Sequence, residues 1–379
     1  MFNDRREQVL LTADHKAHVD LGEVTMTEKE KSIILWYDEL EGKDFNLVGK
    51  KNANLGEMIR AGIRTSPGFA LTIYANDLFI TSMGIKSALE NYLKDLGRVT
   101  YENSLKASAF AVNLIEEASV PSIITDELFR EYQKLCDLAG VENVPVATRS
   151  SGAISMPGQM ETFLNIRGQE DLLHYIKKTW ASAYFVEAIT YRMNKGLGFI
   201  LNIGVGVPKM VNSRVSGIVF TLNPLNGDRS KISVDVSYGL GEAVVSGLVT
   251  PDNFLVDKVT LEPIRSKLGE KEVQCVYEET GSTIKTVNVP QEARSRLSID
   301  KEELKEICRI SKAIDRYYGK PYDIEFAIDA DLSFPENVII LQVRPESVWS
   351  KKEIKPKIEK KKDAMDRVIN QLITGVRLK

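Results

Sequence analysis

An α+β fold in two lobes is predicted for this 379-residue chain by three patterns. Apolar residues keep helical spacing between Asn76 and Gly140, with Ala107, Phe110, Ala111 and Leu114 at i, i+3, i+4 and i+7. Strand-like runs dominate from Gly217 to Pro345, several of them alternating apolar and polar. Further strand signals bracket the helical stretch on both sides, so helices and strands are grouped rather than strictly alternating. The expected organisation is a flexible extension over 1–30, a first lobe over 31–230, a second over 231–349, and a basic linker with an amphipathic helix over 350–379.

The elements follow in order. Residues 1–30 are polar, and Ile33-Ile34-Leu35-Trp36-Tyr37 is the first strand signal. Gly49-Lys50-Lys51-Asn52-Ala53 passes from a glycine turn into helical spacing, and Pro67-Gly68 breaks that helix before the strand Phe69-Ala70-Leu71-Thr72. After the helical stretch, Val144 to Thr148 reads as a strand leading into an arginine loop from Arg149 to Thr162, and Asp171 to Asn194 reads as one helix. Gly217 to Thr221 and Ile232 to Ser237 are strands, and Gly239 to Gly247 is a glycine-punctuated turn. Leu255 to Val289 is β-rich with a turn at Glu279-Thr280-Gly281-Ser282, and Leu304 to Tyr317 is an amphipathic helix.

The last segment differs in charge. Residues 350–379 carry ten Lys/Arg against four Asp/Glu, a formal +6, which leaves about −9 on residues 1–349. Within it Met365, Val368, Ile369, Leu372, Ile373 and Val376 fall on one helical stripe. That stripe suits packing on its own domain, on a partner subunit or on a membrane surface.

Composition narrows the function classes. With 43% hydrophobic and 27% charged residues the chain has the profile of a globular protein, and a net charge of −3 gives no general reason to expect a nucleic-acid partner. No run of about 18 apolar residues predicts a membrane span, and the first twenty residues lack a signal-peptide core. Cys136, Cys275 and Cys308 are widely separated and odd in number, which suits a reducing cytoplasm better than a disulfide framework or a zinc site.

The chemistry gathers in two places. Asp323-Ile324-Glu325-Phe326-Ala327-Ile328 and Val338 to Arg344 form a predicted hairpin. Strict alternation sends Ile324, Phe326, Ile328, Ile339, Leu341 and Val343 to an apolar face, and Asp323, Glu325, Gln342 and Arg344 to the other. Carboxylate and amide oxygens are hard ligands that suit Mg2+, and a guanidinium fork suits phosphate. A solvated charged edge is the plain alternative. The arginine loop, with Arg149, Ser150, Ser151, Gly152, Pro157 and Gly158, can present hydroxyls and backbone N–H groups to phosphates. It is not a P-loop, since GxxxxGK[ST] is absent. Lys51, with Lys50 as competitor, would add a third cation. Glu242 fits a ribose, adenine or second-metal contact, or an acid at a helix N-terminus. Ser150 and Ser151 suit hydroxyl ligands of phosphate better than nucleophiles, because no GxSxG elbow is present. His15, His18 and His174 are the only histidines and are expected in solvent.

Together these segments resemble the nucleotide-binding domain of the phosphoenolpyruvate synthase and pyruvate phosphate dikinase family, over about residues 40–348. The segments are Gly49 to Met58, Arg149 to Asn165, Lys209-Met210-Val211 with Ser216 to Thr221, Gly239 to Asp252, Asp323 to Asp329, and Leu341 to Pro345. The resemblance implies an ATP-grasp-like fold with an ATP site. Lys51, Arg149, Gly158, Thr162 and Arg344 would handle phosphates, Lys51, Arg149 and Arg344 being catalytic, and Glu325 and Gln342 would hold Mg2+. Where the family usually has glutamine before Lys209, this chain has Pro208, which lacks a backbone N–H. The family passes phosphate to a histidine on a swinging domain. No segment here matches that domain, so the expected partner is a separate subunit carrying the phosphohistidine and the site for a small acceptor such as phenol.

Overall fold

A computed structural model describes residues 26–97, 99–154, 160–278 and 283–350. Most of the expected N-terminal extension, Gly158, the turn at 279–282 and the C-terminal stripe from Met365 to Val376 lie outside the described residues.

Along the chain, β1 (Ile34–Trp36) leads to the short α1 (Phe45–Val48) and to α2 (Lys50–Arg60), followed by β2 (Gly68–Leu71). Four helices come next, α3 (Ile73–Ser82), α4 (Ile85–Leu96), α5 (Tyr101–Glu117) and α6 (Ser122–Ala139). Then come β3 (Val146–Ser151), β4 (Thr162–Ile166), α7 (Gln169–Ser182), α8 (Val186–Asn194) and β5 (Gly204–Pro208). The remainder is β6 (Ser213–Phe220), β7 (Lys231–Tyr238), the single-turn α9 (Glu242–Val245), β8 (Asp252–Asp257), β9 (Pro263–Lys267), β10 (Val273–Tyr277) and β11 (Ile284–Asn288). Last are α10 (Gln291–Arg294), α11 (Lys301–Tyr318), β12 (Tyr322–Asp329) and β13 (Val338–Pro345). The α+β class read from the sequence holds.

Two antiparallel sheets organise these elements. One has the order β1-β2-β5-β3-β4, the other β13-β12-β6-β7-β8-β9, and β10 pairs with β11 as a separate hairpin. The change of sheet falls in the 209–212 crossover between β5 and β6, ahead of residue 230.

The helices of the first half bury their apolar faces on the first sheet. Ala107, Ala111 and Ile115 of α5, Ile124, Leu128 and Leu135 of α6, and Ile176 and Trp180 of α7 pack with Leu71, Val146, Val205 and Val207. The single helix expected from Asp171 to Asn194 is two, because the chain turns at Ala183-Tyr184-Phe185. The second sheet buries Val215, Val219, Val234, Val236, Ile324, Phe326 and Ile328 against Leu304, Ile307, Cys308 and Ile314 of α11. That helix begins at a capping box, where Asp300 Oδ1 accepts from Glu303 N at 2.9 Å and Glu303 Oε2 accepts from Asp300 N at 3.1 Å. It stops at the left-handed Gly319.

The β12–β13 hairpin departs from strict alternation. Glu325 pairs with Gln342 but Phe326 pairs with Ile340, so Leu341 is the extra residue of a β-bulge. Past the bulge, Ile340 and Val338 face the α11 core, while Ile339 and Leu341 join Val211 and Ala327 on the opposite side. Assigning Ile339 and Leu341 to the apolar core face was therefore wrong. One added residue reverses every facing beyond it.

Candidate functional site

Between the two sheets lies a cavity of about 250 Å3, lined by residues of both. Four cations line it, Lys209 of the 209–212 crossover and three from regular elements. Lys51 comes from the first turn of α2, Arg149 from β3 and Arg344 from β13.

The helix start is placed by a close approach. Gly49 has φ +79°, and a Cβ there would stand 2.1 Å from the Ser151 carbonyl oxygen, so only glycine fits. This lets Lys50 N donate to the Gly152 carbonyl at 3.1 Å, which brings the α2 N-terminus against the end of β3. Lys51 extends into the cleft while Lys50 does not line it. Crowding between the walls, with Arg149 and Arg344 nearby, lowers the Lys51 pKa from its ordinary value, and Glu325 opposes the shift.

Arg149 lies within β3, not in the loop after it. It pairs across the sheet with Thr162 on one side and Gly206 on the other, so Arg149 and Thr162 are neighbours. Its Nη1 donates to the Leu341 carbonyl at 3.1 Å, at the bulge. Ser150 and Ser151 continue the strand, are each 1% exposed, and do not line the cleft. Ser151 Oγ instead accepts from Asn52 N at 3.4 Å. Reading the two serines as phosphate ligands is corrected by that burial.

On the second sheet, Gln342 Nε2 donates to Glu325 Oε1 at 2.8 Å. A carboxylate beside an amide oxygen fits Mg2+, which takes few protein oxygens and completes its shell with water and phosphate, and Arg344 two residues on suits a phosphate. Arg344 is steered by Asp323, its cross-strand partner. Nε and Nη2 each lie 2.7 Å from Asp323 Oδ2. Burial raises the Asp323 carboxyl, and Arg344 partly offsets it.

Glu242 is the first residue of α9, the helix-start position weighed above, and it lines the cleft with Leu240 and Gly241. Gly158 lies outside the described residues. His174 is exposed on α7, away from the cleft lining.

The cleft is chemically divided. Away from Lys51, Arg149 and Arg344 its walls include Pro208, Val211, Leu164, Met210 and Leu240, the last three part of an apolar cluster with Ala147, Ala243 and Cys275. Ser66 also lines it, and Ser66 Oγ donates to the Lys209 carbonyl in the crossover. Ser66 carried no sequence signal beyond its place before Pro67-Gly68. Asp323 was visible on the right strand face, but its grip on Arg344 needed the register.

Residues 45–365 match the model of the pyruvate phosphate dikinase AMP/ATP-binding domain. The chain belongs to that family. A probable phosphoenolpyruvate synthase of Staphylothermus marinus is 37% identical over 91% of this chain and 45% of its own length. The phosphoenolpyruvate synthase of Aeropyrum pernix is 35% identical over 86% of this chain and 43% of its own. The chain thus spans less than half the length of these relatives. A solved ADP complex of purK, N5-carboxyaminoimidazole ribonucleotide synthetase, covers 66% of this chain and 58% of its own, at 9% identity and a TM-score of 0.24, too distant to bear on fold or site. Among the described residues no helix is long and apolar enough to cross a membrane, and all three cysteines are free and buried.

Proposed function

We propose that the cleft binds Mg-ATP and that the chain phosphorylates a histidine on a separate subunit, which passes the phosphoryl group to a small acceptor such as phenol. Overall, ATP, acceptor and water would give phosphorylated acceptor, AMP and phosphate. The observation that carries this reading is the convergence of Lys51, Arg149 and Arg344 beside the Glu325/Gln342 pair, with an apolar slot at the other end. Four lining cations against two lining carboxylates, Glu242 and Glu325, leave a net positive charge that a polyanion would neutralise. A heterocyclic base suits the apolar end.

In this arrangement Lys51, Arg149 and Arg344 bind the phosphates, Thr162 and Gly158 add contacts, and Asp323 keeps the Arg344 guanidinium turned toward them. Mg2+ held by Glu325 and Gln342 would neutralise charge on the transferred group. Catalysis then rests on positioning and electrostatic stabilisation by groups set before the substrate arrives. The division into subunits follows phenylphosphate synthase, whose ATP-domain subunit this chain resembles.

Phosphorus NMR tests the reading. ATP mixed with this chain and a subunit bearing a phosphohistidine segment should yield AMP, phosphate and a phosphohistidine signal, and neither chain alone should do so. ADP as product would indicate a stand-alone ligase. ATP binding without any transfer would replace the proposal with a nucleotide-responsive regulatory subunit, a role that Pro208 on the cleft wall favours because it offers no N–H to a base. Turnover with pyruvate instead of phenol would move the acceptor to the chemistry named for the relatives.

A further inference from the structure

We infer that Asn165 is a positioning residue for the base-binding end of the cleft, acting by holding both ends of the β10–β11 hairpin. The inference rests on the ATP reading above and adds to it a residue that does not itself line the cleft.

Asn165 ends up in an unusual place. It is wholly buried and has φ +61°, a left-handed conformation that asparagine tolerates better than other side chains. Its Nδ2 donates to the Glu278 carbonyl at 3.2 Å and to the Thr283 carbonyl at 2.7 Å, one at each root of the hairpin turn. Its Oδ1 accepts from Arg167 Nε at 3.1 Å. A side-chain amide is suited to this because it offers two donors and an acceptor on one rigid plane. Alternate residues of the same strand, Thr162 and Leu164, line the cleft.

The hairpin in turn fixes the apolar walls. Tyr277 Oη donates to the carbonyl of Val211, in the crossover that joins the two sheets. Leu240 N donates to the Cys275 carbonyl at 2.8 Å, and Gly239 beside it has no room for a Cβ, which would lie 2.4 Å from that oxygen. Cys275, Tyr277 and Ile284 pack with Met210, Leu240 and Leu164. One hairpin therefore ties β4 of the first sheet, the crossover, and the turn after β7 of the second. The hairpin's bonds end on Asn165, Val211 and Leu240, and none is made to Lys51, Arg149 or Arg344.

The two ends of the cleft can be tested separately. ATP occupies both, whereas inorganic tripolyphosphate, having no base, occupies only the cationic end. Asn165→Asp keeps a residue that tolerates the left-handed backbone but sets carboxylate oxygen against two carbonyls. Asn165→Gly keeps the backbone and removes every side-chain bond. Tyr277→Phe leaves the hairpin roots intact and removes only the Val211 bond. Calorimetric titration of each full-length chain should show ATP affinity lowered about tenfold or more in both Asn165 variants, and in the same direction for Tyr277→Phe, with tripolyphosphate affinity within about twofold of wild type. Unchanged ATP affinity, or equal loss of both ligands, overturns the positioning role. A wild-type chain that binds neither ligand overturns the nucleotide reading as well, so the two failures are distinguishable.

Discussion

Lys51 shows how single residues in the cleft act together. Its ammonium sits below its ordinary pKa because the cleft walls crowd it and Arg149 and Arg344 repel it. Phosphates arriving beside it favour the charged form, so binding should raise the pKa again. Between the lowered and the restored value, in a window below the ordinary lysine value of about 10.4, ATP binding should take up a fraction of a proton, read by calorimetry in buffers of different ionisation enthalpy. Below the lowered pKa the uptake should vanish, and in Lys51→Met it should be absent at every pH. Arg149→Ala should lower phosphate transfer by about 10²–10³-fold, the cost of losing one preorganised donor to developing charge, with the melting temperature little changed. The cations were legible in the sequence because their type and motif sufficed. The fate of Ser150 and Ser151 was not, because β3 runs two residues past Arg149 and buries both.

Among the elements, the junction of α2 with β3 and the bulge in β13 decide where those residues point. Gly49→Ala meets both a left-handed φ and a carbonyl oxygen in the way, whereas Gly62→Ala meets only its φ of +73°, with nothing within 4 Å. Gly49→Ala should therefore cost about 2–4 kcal/mol and Gly62→Ala about 1 kcal/mol in denaturant unfolding, the difference isolating the close approach. Equal costs would mean that the α2 N-terminus is not held there. Alternation alone put Asp323, Glu325, Gln342 and Arg344 on one face, and that held because the pairs Glu325–Gln342 and Asp323–Arg344 precede the bulge along the hairpin from its open end. It failed for Ile339 and Leu341 because a bulge leaves no mark in a run of apolar residues such as Val338-Ile339-Ile340-Leu341. Asn165 was unreadable for a related reason: the hairpin carbonyls it holds, at Glu278 and Thr283, lie more than a hundred residues away.

Over the whole molecule, the cleft exists only where the two sheets meet, so a nucleotide bound across it should couple them. Arg149 and Thr162 belong to the first sheet, Glu325, Gln342 and Arg344 to the second. A ligand present at a hundred times its dissociation constant stabilises the folded state by about 2.7 kcal/mol, enough for a clear rise in melting temperature. A thermal shift alone does not say which lobe is held. Hydrogen exchange does, because Mg-ATP touching both walls should slow exchange in β3–β4 and in β12–β13 together, at the same nucleotide concentration. Arg344→Ala removes a contact from one wall only, yet by this coupling it should reduce protection on both. Protection of the first sheet that survives intact in Arg344→Ala would mean that the lobes bind independently, and the cleft would then lose its standing as one site.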